Sequence, residues 1–154
     1  MTEYSIGLLE MAQGRMVPAR EAFERSLQEN LGFFPAHVAL GDIALAAGQA
    51  TQAIREFSEA AELAPDEAWI QYRLAVALIR VGRGGEAIAP LNRAIKLAPL
   101  FADSYAALGD ALVATRDSTG AIAAYESYVR QAPRRMAPLI EQARRRLATL
   151  RAGH

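Results

Sequence analysis

Residues 41–65 read GDIALAAGQATQAIREFSEAAELAP, and the positions that matter in this stretch recur through the chain. Pro65 is followed by Pro99 and Pro133 at steps of 34 residues. The same step relates Gly41 to Gly7 and Gly109, with Ala75 in the third copy, and Gly48 to Gly14 and Gly82, with Arg116 in the fourth. Ala53 belongs to an unbroken column with Ala19, Ala87 and Ala121, and Phe57 to a bulky one with Phe23, Leu91 and Tyr125. Ala60 aligns with Ser26, Ala94 and Tyr128; Leu40, just upstream, aligns with Ile6, Leu74 and Leu108. A fixed period of this length marks one supersecondary unit copied and stacked.

Each column has a physical reason. Gly or Ala at 7, 41, 75 and 109 lets a partner helix approach closely, where a larger side chain would force two backbones apart. The alanines do the same from the second helix, and the bulky column fills the space that remains. Gly14, Gly48 and Gly82 suit the left-handed residue that ends a helix, and each proline disfavours the helical region for the residue before it. Between these marks apolar residues recur at helical spacing, as in Ile54, Phe57, Ala60 and Ala61. No segment alternates with period two for long enough to suggest strands. The spacing predicts helices over residues 2–13, 16–30, 35–47, 50–63, 67–81, 84–97, 101–115, 118–131 and 136–150.

The columns resemble the tetratricopeptide repeat, with its leucine-glycine pair in the first helix, alanine and aromatic in the second, and closing proline. The resemblance covers residues 2 to about 133 and implies an all-α fold, a right-handed superhelical α-solenoid of four helix pairs (about 1–33, 34–67, 68–101 and 102–135) with a capping helix over about 136–150. It implies one domain over residues 1–154. Departures are local. Leu31 stands where proline is expected, with Pro35 four residues later, which predicts an irregular exit turn. Arg116 stands in the glycine column. Pro90 lies inside a second helix, where it removes a backbone hydrogen bond and is expected to bend it, while Pro18 falls in a first turn. The last segment keeps an apolar stripe of Ile140, Ala143, Leu147 and Leu150, with Glu141, Arg144 and Arg145 away from it; it reads as the cap a solenoid requires. The N-terminus has no such cap, so either the first repeat begins the protein or further repeats precede it.

The resemblance also implies a concave groove, lined by the first helix of each pair, that takes a peptide or helix of a partner protein. The positions left free by packing are Tyr4 and Leu8 in the first pair and Val38, Asp42 and Leu45 in the second. The third offers Trp69, Tyr72, Arg73, Val76 and Arg80, and the fourth Asp103, Ala106 and Asp110. Trp69, the one tryptophan, forms with Tyr72, Arg73 and Val76 a stripe of the residue types enriched at binding hot spots; simple packing against the next repeat is its alternative role. One subclass of the family grips chaperone-tail carboxylates with lysines, asparagines and an arginine. Arg73 matches that arginine, but Tyr4 and Leu8 replace the lysine and asparagine, and unpaired carboxylates at Asp42 and Asp110 would repel an acidic tail. That clamp is expected to be absent.

The chain carries 17 basic and 17 acidic residues, so no net field favours nucleic acid or an acidic membrane. The balance conceals a split. Residues 1–68 hold 4 Arg against 11 acids, and residues 69–154 hold 13 basic residues against 6 acids. Head-to-tail self-assembly through these opposite charges is therefore a second reading. The C-terminal arginines, Arg130, Arg134, Arg135, Arg144, Arg145, Arg146 and Arg151, could meet phosphates or RNA. Consecutive helical residues point about 100° apart, so Arg144 to Arg146 form no flat patch and read as a solvated cap. Nucleic acid ranks last among the partners.

Catalysis finds no constellation. Cysteine is absent, and the histidines are His37, in a packing column, and His154, the final residue; neither a metal triad nor a thiol nucleophile can be assembled. VGRGGEA (residues 81–87) lacks the lysine with serine or threonine of a phosphate loop and reads as a helix turn. Asp66 and Glu67 suit a helix start. The reading is a non-enzyme without cofactor or metal. The N-terminal residues show no signal peptide, and no apolar run reaches the roughly 18 residues of a membrane helix. Localisation is expected to be cytoplasmic, or periplasmic if the chain is part of a larger exported protein. Sixteen Arg against one Lys point to a GC-rich bacterial genome.

Overall fold

Three glycines set the register of the architecture. Gly14, Gly48 and Gly82 have φ of 75°, 74° and 78°, and each closes the first helix of a pair. In the computed structural model the described residues are 1–153; His154 lies outside them. The helices are α1 (Glu3–Ala12), α2 (Met16–Glu29), α3 (Phe34–Ala46), α4 (Ala50–Leu63), α5 (Ala68–Arg80), α6 (Gly84–Leu97), α7 (Ala102–Ala114), α8 (Ser118–Gln131) and α9 (Ala137–Ala152). A 3-10 turn, Arg134–Met136, precedes α9. The fold is all-α: four successive helix pairs and a closing helix.

Most boundaries fall within one residue of those expected, because the signals that set them are local. The fourth turn is instructive. Arg116 adopts the left-handed conformation of its column, with φ of 64°, a region that costs a residue bearing a Cβ about 1–2 kcal/mol. The first exit turn, where proline is missing, is built by Asn30: its Oδ1 accepts from the Gly32 N–H at 3.1 Å, and its carbonyl accepts from the Phe33 N–H at 3.1 Å. Helix α6 runs on through Pro90.

The chain divides into two compact units, one ending at Ile70 and the other beginning at Gln71. In the first, α1 packs on α2, α2 on α3 and α3 on α4. Phe23, fully buried, sits among Ala19, Ala36, Ala39, Leu40 and Ile43, and burial of such a ring stabilises by about 1.5–3 kcal/mol. In the second unit α6 packs on α7, α7 on α8 and α8 on α9. Tyr125 and Tyr128 of α8 meet Ala102, Ala121 and, from the closing helix, Ala143 and Leu147. Ile140 and Leu150 pack against the same cluster, so the stripe read from the sequence is the face that α9 buries.

The small column works as expected. A Cβ on Gly7, Gly41 or Gly109 would fall 2.5, 2.7 or 2.6 Å from a ring carbon of Phe23, Phe57 or Tyr125. Where the bulky column holds Leu91, the small column holds Ala75, and both are fully buried.

Candidate functional site

In the second unit residues of the first helices α5 and α7 line one cavity together. At one end Tyr72 meets Phe101, immediately before α7, edge to face at 4.9 Å. At the other, Gly84, just after the turn that follows α5, approaches Ala111 and Ala114 so closely that an added Cβ would lie 2.9 Å from the Ala114 methyl. Between α5, α7 and α9 lies a cavity of about 400 Å³. Tyr72, Val76, Ile79 and Arg80 line it from α5, and Asp103, Ala106, Ala107 and Asp110 from α7. Tyr125 and Tyr128 form its floor, and Met136, Leu139, Gln142, Ala143 and Arg146 complete the wall. The structure therefore brings together Tyr72, Val76, Arg80, Asp103, Ala106 and Asp110.

A three-residue network closes one side. Arg146 donates to Asp110 and, at 3.2 Å, to the Tyr125 hydroxyl; the Tyr125 hydroxyl itself donates to Asp110 Oδ1 at 2.5 Å. The Arg146 guanidinium also stands 5.8 Å from the centre of the Tyr125 ring, within the range of cation–π attraction. Burial, followed by the hydrogen bond to Asp110, pushes the Tyr125 phenol up to about 12. The expectation that Asp110 is an unpaired carboxylate is thus corrected: a cation from the closing helix, 36 positions along the chain, neutralises it. Asp42 is not without a partner either. A second cavity of about 430 Å³ lies beyond this network, against Val113, Arg145, Thr149 and Leu150.

Asp103 stands apart from this neutralised group. No side-chain hydrogen bond or ion pair of Asp103 or Arg80 is present among the described residues. Burial and then the negative charge of Asp103 raise the pKa of both Tyr72 and Tyr128 above the usual phenol value.

The other sequence candidates are not in this cavity wall. Arg73 is exposed on α5. Within the first unit Tyr4 is half-buried, its ring 4.9 Å from Phe33 and 5.5 Å from Phe23. Val38 is buried, Asp42 and Leu45 are half-buried, and Leu8 is exposed. Trp69 is 38% exposed, and its Nε1 donates to Glu67 Oε2 at 2.8 Å. His37 is structural: its Nδ1 lies 3.0 Å from Glu56 Oε2, with the two side chains only 14% and 11% exposed. Sequence reasoning missed the contribution of α9. The stripe of Ile140, Ala143 and Leu147 identified its buried face, but Met136, Leu139 and Arg146 at the edge of that stripe carry the cavity wall. Several cap arginines are engaged: Arg144 with Glu141 and Arg151 with Glu126, each at 2.5 Å.

Comparison with known proteins gives matches to tetratricopeptide repeat models over residues 44–99 and 72–135. An Hsp70-Hsp90 organizing protein of Triticum aestivum is 34% identical over 88 residues, which are 57% of this chain. That stretch spans 15% of the relative's length. Among solved structures, a MamA protein superposes with a TM-score of 0.88 at 24% identity, covering 98% of this chain and 80% of that one. YrrB, described as a TPR protein with an unusual peptide-binding site, superposes with a TM-score of 0.86 at 15% identity, covering 97% and 75%. These likenesses establish a solenoid fold. No helix among the described residues is long and apolar enough to cross a membrane.

Proposed function

Because the chain belongs to the tetratricopeptide repeat family, we propose that it is a non-catalytic interaction scaffold whose second unit receives a peptide or helix of a partner protein in the cavity between α5, α7 and α9. The observation that carries this reading is the convergence of Tyr72, Val76, Asp103, Ala106 and Asp110 on one cavity together with the exposed Leu139. Aromatic and aliphatic side chains interspersed with placed charged groups, as in this wall, are what a binding cavity offers. YrrB, of the same fold, has a peptide-binding site by its description. The Hsp70 and Hsp90 in the name of the wheat relative do not transfer, because Tyr4 and Leu8 occupy the positions where a carboxylate clamp needs polar donors. Leu8, Leu45, Trp69 and Arg73 are proposed as further contacts, each on its own unit.

The test is capture of the partner from the native host on immobilised protein. Tyr72→Ala and Leu139→Arg are expected to reduce capture by about tenfold, the effect of losing a hot-spot contact, with the circular-dichroism melt retained. Full capture by both folded variants would remove the cavity from the interface, and the same comparison with Trp69→Ala tests the sequence candidate.

A second reading is head-to-tail self-assembly, favoured by the opposite charges of residues 1–68 and 69–154. Such contacts weaken as salt shortens the screening length to about 8 Å. Association in sedimentation at low salt, lost at high salt, supports it. A monomer at both salt levels and high protein concentration eliminates it.

A further inference from the structure

The cavity of the second unit is electrically polarised along its length. Asp103 is the second residue of α7, so its carboxylate belongs to the end where Tyr72 meets Phe101. Arg80 is the last residue of α5 and belongs to the opposite end, beside the turn that carries Gly84 to Ala114. Between them the wall is Val76, Ile79, Ala106 and Leu139. The two other charges, Asp110 and Arg146, satisfy one another and leave the interior close to neutral. Asp103 is flanked by Tyr72 and Tyr128, which line the same cavity, and a carboxylate beside aromatic rings attracts a cation by charge and by the ring quadrupole.

Resting on the reading that this cavity binds a peptide, we propose that it selects an extended partner segment carrying a lysine or arginine at the Asp103 end, an apolar centre, and an aspartate or glutamate at the Arg80 end. The spacing follows from geometry. Tyr72 and Arg80 are eight positions apart on one helix, which at 1.5 Å per residue is about 12 Å. An extended chain advances about 3.3 Å per residue, so the basic and acidic residues of the partner stand three or four positions apart. Asp103 and Arg80 fix which end of the segment lies where, since a reversed segment would place like charges together.

The experiment is selection of a displayed random-peptide library on the intact chain, followed by affinity measurement on the synthesised winners. Peptides released by Leu139→Arg are expected to pair a basic with an acidic residue three or four positions apart. Their affinity is expected to fall about tenfold in Asp103→Asn, the equivalent of 1.4 kcal/mol. Selection on the Asp103→Lys, Arg80→Glu double variant is expected to return the opposite charge order. Peptides that depend on Leu139 but show no charge pairing, or bind Asp103→Asn unchanged, overturn the polarity while leaving the cavity reading in place. Failure to select any peptide sensitive to Leu139→Arg overturns both. Melting curves confirm that each variant is folded.

Discussion

Tyr125 on α8 donates a hydrogen bond from its hydroxyl to Asp110 on α7 across 2.5 Å, and Arg146 of α9 binds both groups. One aromatic residue of the repeat column thus performs two tasks. Its ring fills the space opposite Gly109, and its hydroxyl links the last pair to the closing helix. Phe23 and Phe57, in the same column, lack a hydroxyl and can perform only the first.

Burial of the Tyr125 phenol, together with its hydrogen bond to Asp110, makes stability depend on alkaline pH. The Tyr125 phenol is raised from 10.0 to about 12, so above its ordinary value the unfolded chain releases this proton more readily than the folded one. The contribution is complete below about pH 10 and is lost as pH climbs through about 12. Tyr72 and Tyr128, also raised, add in the same direction. Urea unfolding of Tyr125→Phe is expected to show a shallower alkaline decline than wild type. An identical slope would mean that Tyr125 does not report on folding.

Helix existence and register were legible in the sequence because left-handed glycines, helix-stopping prolines and small-against-large packing act within a turn or across one helix pair. The cavity was legible only on the α5 and α7 side. Arg144, Arg145 and Arg146 look alike as a string, and what distinguishes Arg146 is how α9 settles on α8, a packing relation outside the 34-residue period. Asp110 read as unpaired for the same reason.

Arg116 carries a cost that its column predicts how to remove. Its φ of 64° matches Gly14, Gly48 and Gly82, so Arg116→Gly relieves about 1–2 kcal/mol of strain against about 0.4–1 kcal/mol of added unfolded-state freedom. The net gain lies between about 0 and 1.6 kcal/mol, and each 1 kcal/mol of it raises the melting temperature of a chain this size by about 2–4 °C. Calorimetry checks it; a lower melting temperature would place the strain elsewhere.

Glu56 brings a carboxylate into the first unit where little water reaches it, held by His37 at 3.0 Å and, more loosely, by Arg55 at 3.6 Å. Removing the imidazole alone leaves the acid with only the looser contact to Arg55. His37→Leu is expected to cost about 1–3 kcal/mol, and the His37→Leu, Glu56→Leu pair to cost less than that single change, since an apolar pair needs no compensation. Chemical denaturation of the three variants provides the comparison.

The pairing of Gly with an aromatic ring, and of Ala with leucine, predicts a compensating substitution. At Gly41 an added methyl would stand 2.7 Å from Phe57 Cε1, with a second ring carbon at 2.9 Å. The Phe57 ring is fully buried and has little room to swing aside, so Gly41→Ala is expected to cost about 1–3 kcal/mol despite the better helix propensity of alanine. Phe57→Leu alone opens a void and also destabilises. Together they reproduce Ala75 and Leu91 of the third repeat, both fully buried, and the methyl occupies volume that the shorter side chain vacates. The double variant is therefore expected to be more stable than the sum of the single costs allows, by about 0.5–3 kcal/mol of coupling. Urea unfolding of the four proteins measures it. Simple additivity would mean that the matched sizes in the third repeat are coincidental, because two residues that share one packing space must report each other's volume.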